Sequence, residues 1–156
     1  MNRSVPLCLL FLLAASACTT TRQDTAHSAR TAQEEANMKI VTEFYDKAIN
    51  QKDFEAASQY LGSRYIQHNP LAKDGPEGLK AFLDFAKQSL PTYHTEFKRV
   101  LADGNFVVVH ALAKRDADDR GTAVMDIFRL ENGKVVEHWD VAQPIPEKSA
   151  NDNTMF

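Results

Sequence analysis

The spacing of apolar residues changes once along this 156-residue chain, close to Pro91. Before that proline, the apolar residues recur every three or four positions, which is the spacing that lines one face of an α-helix. After it they alternate with polar residues, as in half-buried β-strands. Helices followed by a run of strands predict an α+β domain in which the helices cover one face of a curved antiparallel sheet.

Three helices are predicted in the first part of the domain. The first spans residues 34–51, where charged residues fill the face opposite the apolar one. The second follows Asp53, whose side chain can cap it, and carries Leu61 on its buried face before Gly62 stops it. The third opens at the Gly75-Pro76 pair, because proline is tolerated in the first turn of a helix.

Four strands are predicted after the helices, over residues 94–101, 106–114, 122–130 and 135–141. The pairs Asp103-Gly104 and Asn132-Gly133 favour tight hairpin turns between them. A shorter extended segment, residues 64–67, precedes a turn at His68-Asn69-Pro70. A strongly bent sheet that three helices half cover leaves a cavity on its concave side, where inward polar side chains can carry chemistry.

The first 17 residues have the pattern of a secretory signal peptide, with Arg3, a short apolar core and small residues before Cys18. The segment before Cys18 fits both an ordinary A-x-A cleavage site and a bacterial lipobox. Lipidation explains this cysteine better, because Cys8 leaves with the signal peptide and Cys18 would otherwise be a lone exposed thiol in an oxidising compartment. We expect an exported, membrane-anchored lipoprotein on the periplasmic side, with a soluble periplasmic or secreted protein as the alternative.

Composition divides the remaining chain into three parts. Residues 18–33 are polar and without apolar periodicity, which predicts a flexible tether. Residues 34–143 form one predicted domain, and residues 144–156 are predicted to be a loosely ordered tail. No apolar run reaches the roughly 20 residues that a membrane-spanning helix needs.

Charge and motifs exclude several functions. The formal net charge is −3 and no basic cluster is present, so nucleic-acid binding is not expected. The sequence contains no glycine-rich phosphate loop, no Cys-x-x-Cys pair and no nucleophilic serine or cysteine motif. Nucleotide, redox and acyl-enzyme chemistry therefore lack support, and we expect no cofactor.

Polar side chains lie among apolar neighbours on three of the predicted strands. Alternation places His110 in an apolar strand, Asp126 on one face with Phe128, and His138 on one face with Asp140. Burial would raise the pKa of Asp126 unless it is paired. Each of these residues alone can be an ordinary structural residue, but together they predict a ligand-binding or catalytic pocket.

Three segments resemble a known family: YIQHNP at 65–70, DGPEG at 74–78 and MDIFRLENGKVVEHWD at 125–140. This combination resembles the SnoaL-like proteins of the nuclear transport factor two-like superfamily, and most closely their predicted aldol-condensation branch. The resemblance covers residues 34–143. It implies a cone-shaped, cystatin-like fold in which three N-terminal helices and a curved antiparallel sheet enclose a small-molecule pocket.

The resemblance also implies roles for individual residues. Asp126 is similar in position to the acid that polyketide cyclases and ketosteroid isomerases use in proton transfer. His110 and His138 would be its acid–base or oxyanion partners, and Asp140 would orient a histidine. The expected substrate-binding residues are His68, Asn69, Asp140 and Phe128.

One position departs from the resemblance. Ketosteroid isomerases carry an aspartate base in the turn where this chain has His68-Asn69. Asparagine cannot accept a proton as a carboxylate does, so steroid-type isomerisation is not expected unless His68 turns inward and acts as the base.

Three functions remain open from the sequence. The first is a cofactor-independent enzyme of the aldol, cyclase or isomerase type that uses Asp126 on a carbonyl substrate. The second is a non-catalytic periplasmic lipoprotein that binds a small apolar or amphiphilic ligand, which the same polar residues orient. The third is a metal site built from His68, His110, His138 and either Asp126 or Asp140. The spacing of these residues lacks a compact metal-binding motif, so no metal is expected.

A homodimer is also expected, because a sheet covered by helices on one face leaves the other face open. The residues assigned to this open face are Val107, Val109, Ala111, Met125, Ile127 and Trp139.

Overall fold

The computed structural model of the protein describes residues 30–156. The predicted signal peptide, Cys18 and most of the predicted tether lie outside the described residues. Between residues 30 and 156, no helix is both long enough and apolar enough to cross a membrane.

Three α-helices precede the long strands, as predicted: α1 (Ala32–Tyr45), α2 (Phe54–Ser58) and α3 (Gly75–Ser89). A capping box starts α1, where the Thr31 hydroxyl accepts the backbone N–H of Glu34 at 3.2 Å. A π-helical segment, Asp46–Asn50, continues α1 without a break. Such wider turns are uncommon and often lie at functional sites.

The second helix is shorter than the sequence predicts. Asp53 caps it as expected, and its carboxylate accepts a backbone N–H at 3.0 Å. Leu61, however, is the first residue of strand β1 (Leu61–Gln67), so its assignment to the helix was wrong. The backbone N–H of Val135 donates to the carbonyl of Tyr60 at 2.9 Å, which joins this segment to the sheet.

The sheet has five strands: β1, β2 (His94–Asp103), β3 (Phe106–Lys114), β4 (Thr122–Glu131) and β5 (Lys134–Pro144). Their order across the sheet is β1-β5-β4-β3-β2. The predicted α+β fold class is confirmed. One pairing differs from a purely antiparallel sheet, because β1 lies parallel to β5 after a long connection rather than a hairpin.

Slips in strand register bend the sheet. One lies near Phe97 in β2, and another separates Arg129 from Leu130 where β4 pairs with β5. Beside the second slip, Val135 and Val136 are both buried, with 0% and 3% exposure. In a regular strand, two consecutive residues point to opposite faces, so the slip is what allows both valines to be buried.

The helices cover the face of the sheet that carries Val107, Val109 and Ala111, each of which is 0% exposed. Asp126 is the cross-strand partner of Val109 and lies on the same covered face. These three apolar residues therefore belong to the core, and their assignment to an open dimer face was wrong. Alternation separates two faces of a strand but does not tell which one the helices cover.

We call the opposite side of the sheet the outer face. Its residues include Phe106, Val108, His110, Met125, Ile127, Trp139 and Val141. The chain after β5 returns to this face, where the ring of Phe156 stacks on His110 with 5.2 Å between centroids. The ammonium group of Lys98 lies 5.5 Å from the centroid of the Phe156 ring.

Candidate functional site

A cavity of about 130 Å³ lies between the helices and the concave face of the sheet. Its walls are mostly apolar, with many aromatic side chains, and its polar residues come from β1 and its following turn and from β4 and β5. The aromatic residues are Phe44, Tyr45, Tyr65, Phe82, Tyr93 and Phe128. The polar ones are Gln67, Asn69, Asp126, His138 and Asp140.

Asp126 is the most buried acid in this cavity, with 4% exposure. The hydroxyl of Tyr45 donates to its Oδ2 at 3.0 Å, and Nε2 of His138 lies 3.0 Å from its Oδ1. Both carboxylate oxygens are thus hydrogen-bonded, by residues from α1 and β5. The sequence predicted that Asp126 and His138 would share a face, and the structure brings these two side chains into contact.

Gln67 determines which nitrogen of His138 carries a proton. The backbone N–H of Asn69 donates to Oε1 of Gln67 at 2.8 Å, so this atom is an acceptor. The same oxygen lies 3.0 Å from Nδ1 of His138. Since two acceptors do not form a hydrogen bond, Nδ1 must carry a hydrogen.

The contact between His138 and Asp126 therefore contains one shared proton. With Nδ1 protonated, a neutral His138 can only accept at Nε2, and Asp126 must then supply the hydrogen. If Asp126 is ionised instead, His138 must be an imidazolium. Either form places one mobile proton between Oδ1 and Nε2, which is what an acid–base catalyst requires.

Burial raises the pKa of Asp126, and the neighbouring carboxylate of Asp140 raises it further, while the hydrogen bonds from His138 and Tyr45 act in the opposite direction. Burial likewise raises the pKa of Tyr45, and it raises the pKa of Tyr93 to about 12. The phenol groups around the acid therefore stay protonated at neutral pH and act as donors.

Asp140 lies beside this pair at the mouth of the cavity. Nδ2 of Asn69 donates to its two carboxylate oxygens, at 2.9 and 2.8 Å. Asn69 is itself oriented, because its Oδ1 accepts the backbone N–H of Leu71 at 2.8 Å. The expected role of Asp140 as the residue that orients a histidine is thus taken by Gln67, and Asp140 is held by Asn69 instead.

Two predicted site residues lie away from the cavity. His110 is on the outer face, where its Nδ1 lies 3.0 Å from Nη1 of Arg99. His68 is exposed, bonds Glu137 at 2.8 Å and stacks on Trp139 with 4.6 Å between centroids. The catalytic assignment of His110 and the inward orientation of His68 are not supported, because the sheet separates both side chains from Asp126.

The predicted four-residue metal set is not assembled for the same reason. A nitrogen of His138 and one oxygen each from Asp126 and Asp140 do lie within 4.8 Å of one another, and these are the groups that could hold a cation. His68 and His110 lie on the outer face and cannot complete the set.

Sequence reasoning missed Tyr45, Gln67 and Tyr93. Tyr45 follows Val41 by one helical turn on the apolar face of α1, so its position could have been found from the helical spacing. Gln67 lies inside the YIQHNP segment, but nothing local indicated that its side chain would meet His138, 71 residues later.

The fold and part of the sequence are similar to known proteins. A putative polyketide cyclase from Bacillus cereus is 21% identical with a TM-score of 0.62, over 72% of this chain and 78% of that chain. A putative SnoaL-like polyketide cyclase from Jannaschia sp. is also 21% identical with a TM-score of 0.62, over 72% and 89% of the two chains. A nuclear transport factor two-like protein of unknown function from Burkholderia xenovorans is 18% identical with a TM-score of 0.62, over 77% and 92%.

These likenesses, at low identity, confirm the predicted nuclear transport factor two-like fold. No curated protein is significantly similar to the chain in sequence. Residues 41–138, more than half of the 156, match the family described as SnoaL-like domain. The chain therefore belongs to the SnoaL-like domain family.

Proposed function

We propose that this protein binds a small carbonyl compound in its cavity and catalyses proton transfer at the carbon next to the carbonyl group, as in isomerisation, aldol addition or cyclisation. The observation that carries the proposal is the Asp126–His138 pair, which holds one shared proton beside an aromatic cavity. Two titratable groups with one proton between them, shielded from water, form the arrangement that such chemistry uses.

In the proposed reaction Asp126 acts as the acid–base group. Its carboxylate takes a proton from the α carbon, and the electron pair of the broken C–H bond moves toward the carbonyl oxygen. Tyr93 lines the same cavity, and its hydroxyl donates a hydrogen bond to the enolate oxygen in this reaction. If the substrate carries a β,γ double bond, return of the proton to the γ carbon of the dienolate gives isomerisation. Attack of the enolate carbon on a second carbonyl, with the proton of Asp126 returned to the new alkoxide, gives an aldol product.

The names of similar structures support this reaction class. Two of them are described as putative polyketide cyclases. Ring closure between a carbon next to one carbonyl group and a second carbonyl group begins with the same removal of an α proton. The substrate has to be inferred from the cavity of this chain, because one fold carries many activities.

A non-catalytic ligand-binding lipoprotein is the second candidate. The observation that favours it is that both oxygens of Asp126 already have hydrogen-bond partners, Tyr45 and His138. Hydrogen bonds to the ionised form of an acid make it a weaker base, which favours a role in orienting a ligand.

Deuterium exchange separates the two candidates. The full-length protein is incubated with cyclohexanone in D2O, and loss of the α-proton signals is followed by NMR. The enzyme proposal expects exchange well above the rate in buffer alone. Binding of cyclohexanone without any increase in exchange would favour the binding protein, and a ligand retained in native mass spectrometry would then identify its chemistry.

We also propose that a lipid on Cys18 anchors the chain to a membrane on the periplasmic side. The small residues before Cys18 and the otherwise unexplained single cysteine of the mature chain support this. Replacing Cys18 with serine is expected to move the protein from the membrane fraction to the soluble fraction. Cys8→Ser is the matched control, since Cys8 leaves with the signal peptide. Membrane association that survives Cys18→Ser would contradict the anchor.

We propose, finally, a homodimer through the outer face. Four of its apolar side chains are exposed, namely Leu101 (55%), Phe106 (43%), Met125 (36%) and Val141 (70%). An apolar surface of this kind is covered in most soluble proteins. Val141→Glu is expected to yield monomers in size-exclusion chromatography with light scattering, whereas Leu71→Glu, at a residue 95% exposed elsewhere, should leave the dimer intact. A monomeric wild-type protein would rule this interface out.

A further inference from the structure

We propose that the ligand of this cavity is an uncharged carbonyl compound of about the size of one six-membered ring, and that carboxylates and fused-ring compounds are excluded. This inference rests on the proposed function for the carbonyl group. The limits on ligand size and charge come from the cavity walls alone, so they can be tested separately from catalysis.

The volume of the cavity sets the size limit. At about 130 Å³ it is slightly smaller than an engineered protein cavity of about 150 Å³ that holds benzene. Part of the wall consists of packed aromatic rings: Phe44 meets Phe128 edge to face at 5.9 Å and Tyr65 at 6.4 Å. Rings packed in this way have little room to move aside for a second fused ring.

The charges around the cavity set the second limit. Among the described residues that line it, none is Lys or Arg, while Asp126 and Asp140 are both acids. Asn69 supplies the hydrogen bonds that Asp140 receives from described residues, and no Lys or Arg among those residues forms an ion pair with it. The single proton shared by Asp126 and His138 neutralises only one of the two carboxylates, so the cluster keeps a net negative charge. A ligand carboxylate would lose its hydration and face a like charge, whereas a neutral ligand would not.

The hydrogen-bond groups suit a carbonyl oxygen. The Tyr93 hydroxyl makes no hydrogen bond to any described residue, although it lines the cavity and burial raises its pKa to about 12. The hydroxyl is not a buried unsatisfied group, so it is accessible from the cavity opening and free to donate to a ligand carbonyl oxygen. The free lone pairs of Asp140 can accept from a ligand hydroxyl in the same cavity.

A groove beside the cavity is the main alternative location for an anion. It shares Tyr93 and Val124 with the cavity and contains Arg115 and Arg120. Arg115 pairs with Asp119 at 3.3 Å, and Nε of Arg120 donates to a backbone carbonyl at 3.4 Å. Asp118 and Asp119 line the same groove, so two carboxylates offset the charge of its two guanidinium groups and weaken their attraction for a ligand carboxylate.

Calorimetry on the full-length protein with three matched probes tests the inference. Cyclohexanone is expected to bind, 3-oxocyclohexanecarboxylate to bind at least about tenfold more weakly, and 2-decalone, a fused bicyclic ketone, not to bind measurably. Equal or tighter binding of either of the latter two, or no binding of cyclohexanone, would overturn the proposal. Selective binding of cyclohexanone without α-deuterium exchange would support the ligand class while the proposed catalysis failed.

Two variants test whether residues of the cavity wall cause this selectivity among the three probes. Phe82→Ala should let 2-decalone bind, because Phe82 lines the cavity and its 38% exposure leaves the fold able to tolerate its loss. Phe85→Ala, on the same helix but outside the cavity lining, is the matched control and should not. Asp140→Asn should reduce the discrimination against the carboxylate probe. If both variants bind all three probes as the wild type does, the cavity is not the binding site.

Discussion

Asp126→Asn is expected to lower the rate of α-deuterium exchange into cyclohexanone by a factor of about 100 to 10,000, the range typical of a lost general acid–base group. The amide has the shape of the carboxylate and can still accept from the Tyr45 hydroxyl and donate to His138 Nε2, but it cannot take up a proton. The measurement is the NMR exchange assay, run with wild type and variant at equal concentration.

Asp103→Asn is the matched control for this prediction. It makes the same chemical change at an exposed residue of β2, far from the polar cluster, and its exchange rate should equal that of the wild type. An Asp126→Asn variant that exchanges at the wild-type rate would mean that Asp126 only orients the ligand.

The stability of Asp126→Asn shows whether a lower exchange rate comes from loss of the acid–base group or from loss of the folded structure. Burial raises the pKa of Asp126 above its ordinary value of 3.8, so the folded state binds this proton more tightly than the unfolded state. That contribution to stability is present below the unfolded pKa and is lost as the pH rises through the folded pKa. In urea unfolding, Asp126→Asn should therefore gain stability relative to the wild type as the pH rises above about 4. A relative loss over this range would contradict the raised pKa.

Leu83→Ala is expected to reduce the free energy of unfolding by about 2–5 kcal/mol. Leu83 lies in α3, is 1% exposed and belongs to the core cluster between the helices and the sheet. Its truncation loses apolar burial and leaves a cavity that the packed aromatic neighbours fill only in part. Such a loss corresponds to a fall in melting temperature of roughly 10 °C or more for a domain of this size.

Leu71→Ala is the matched control, because Leu71 is 95% exposed and the chemical change is identical. It should alter the free energy of unfolding by no more than about 0.5 kcal/mol. The two variants are compared by urea unfolding. The dependence of their unfolding free energy on urea concentration should equal that of the wild type. Similar losses in the two variants would mean that α3 does not cover the sheet as described.

The types of the elements followed from local patterns in the sequence. The helix cap at Asp53, the first turn of α3 and the two hairpin turns each depend on a few neighbouring residues, and all are present. The wrong assignment of Leu61 has a non-local cause, since this residue pairs with Val135 of β5. A helix prediction uses only neighbouring residues, so it cannot detect a strand partner more than seventy residues away.

The composition of the site was predicted only in part for the same reason. Asp126, His138, Asp140, Asn69 and Phe128 do line one cavity. The partners that give them their protonation state come from distant elements: Tyr45 is 81 residues from Asp126, and Gln67 is 71 residues from His138. Such contacts form only when the helices and the sheet pack together.

The sequence by itself determined the α+β class, the order of helices and strands, and which side chains of a strand share a face, because these depend on periods of two and 3.6 residues and on turn chemistry. Only the tertiary structure decided which face of β3 is covered. The helices pack on the face that carries Val109 and Asp126, which leaves His110 on the outer face. The physical reason is that alternation is symmetric between the two faces, and the packing of the helices breaks that symmetry.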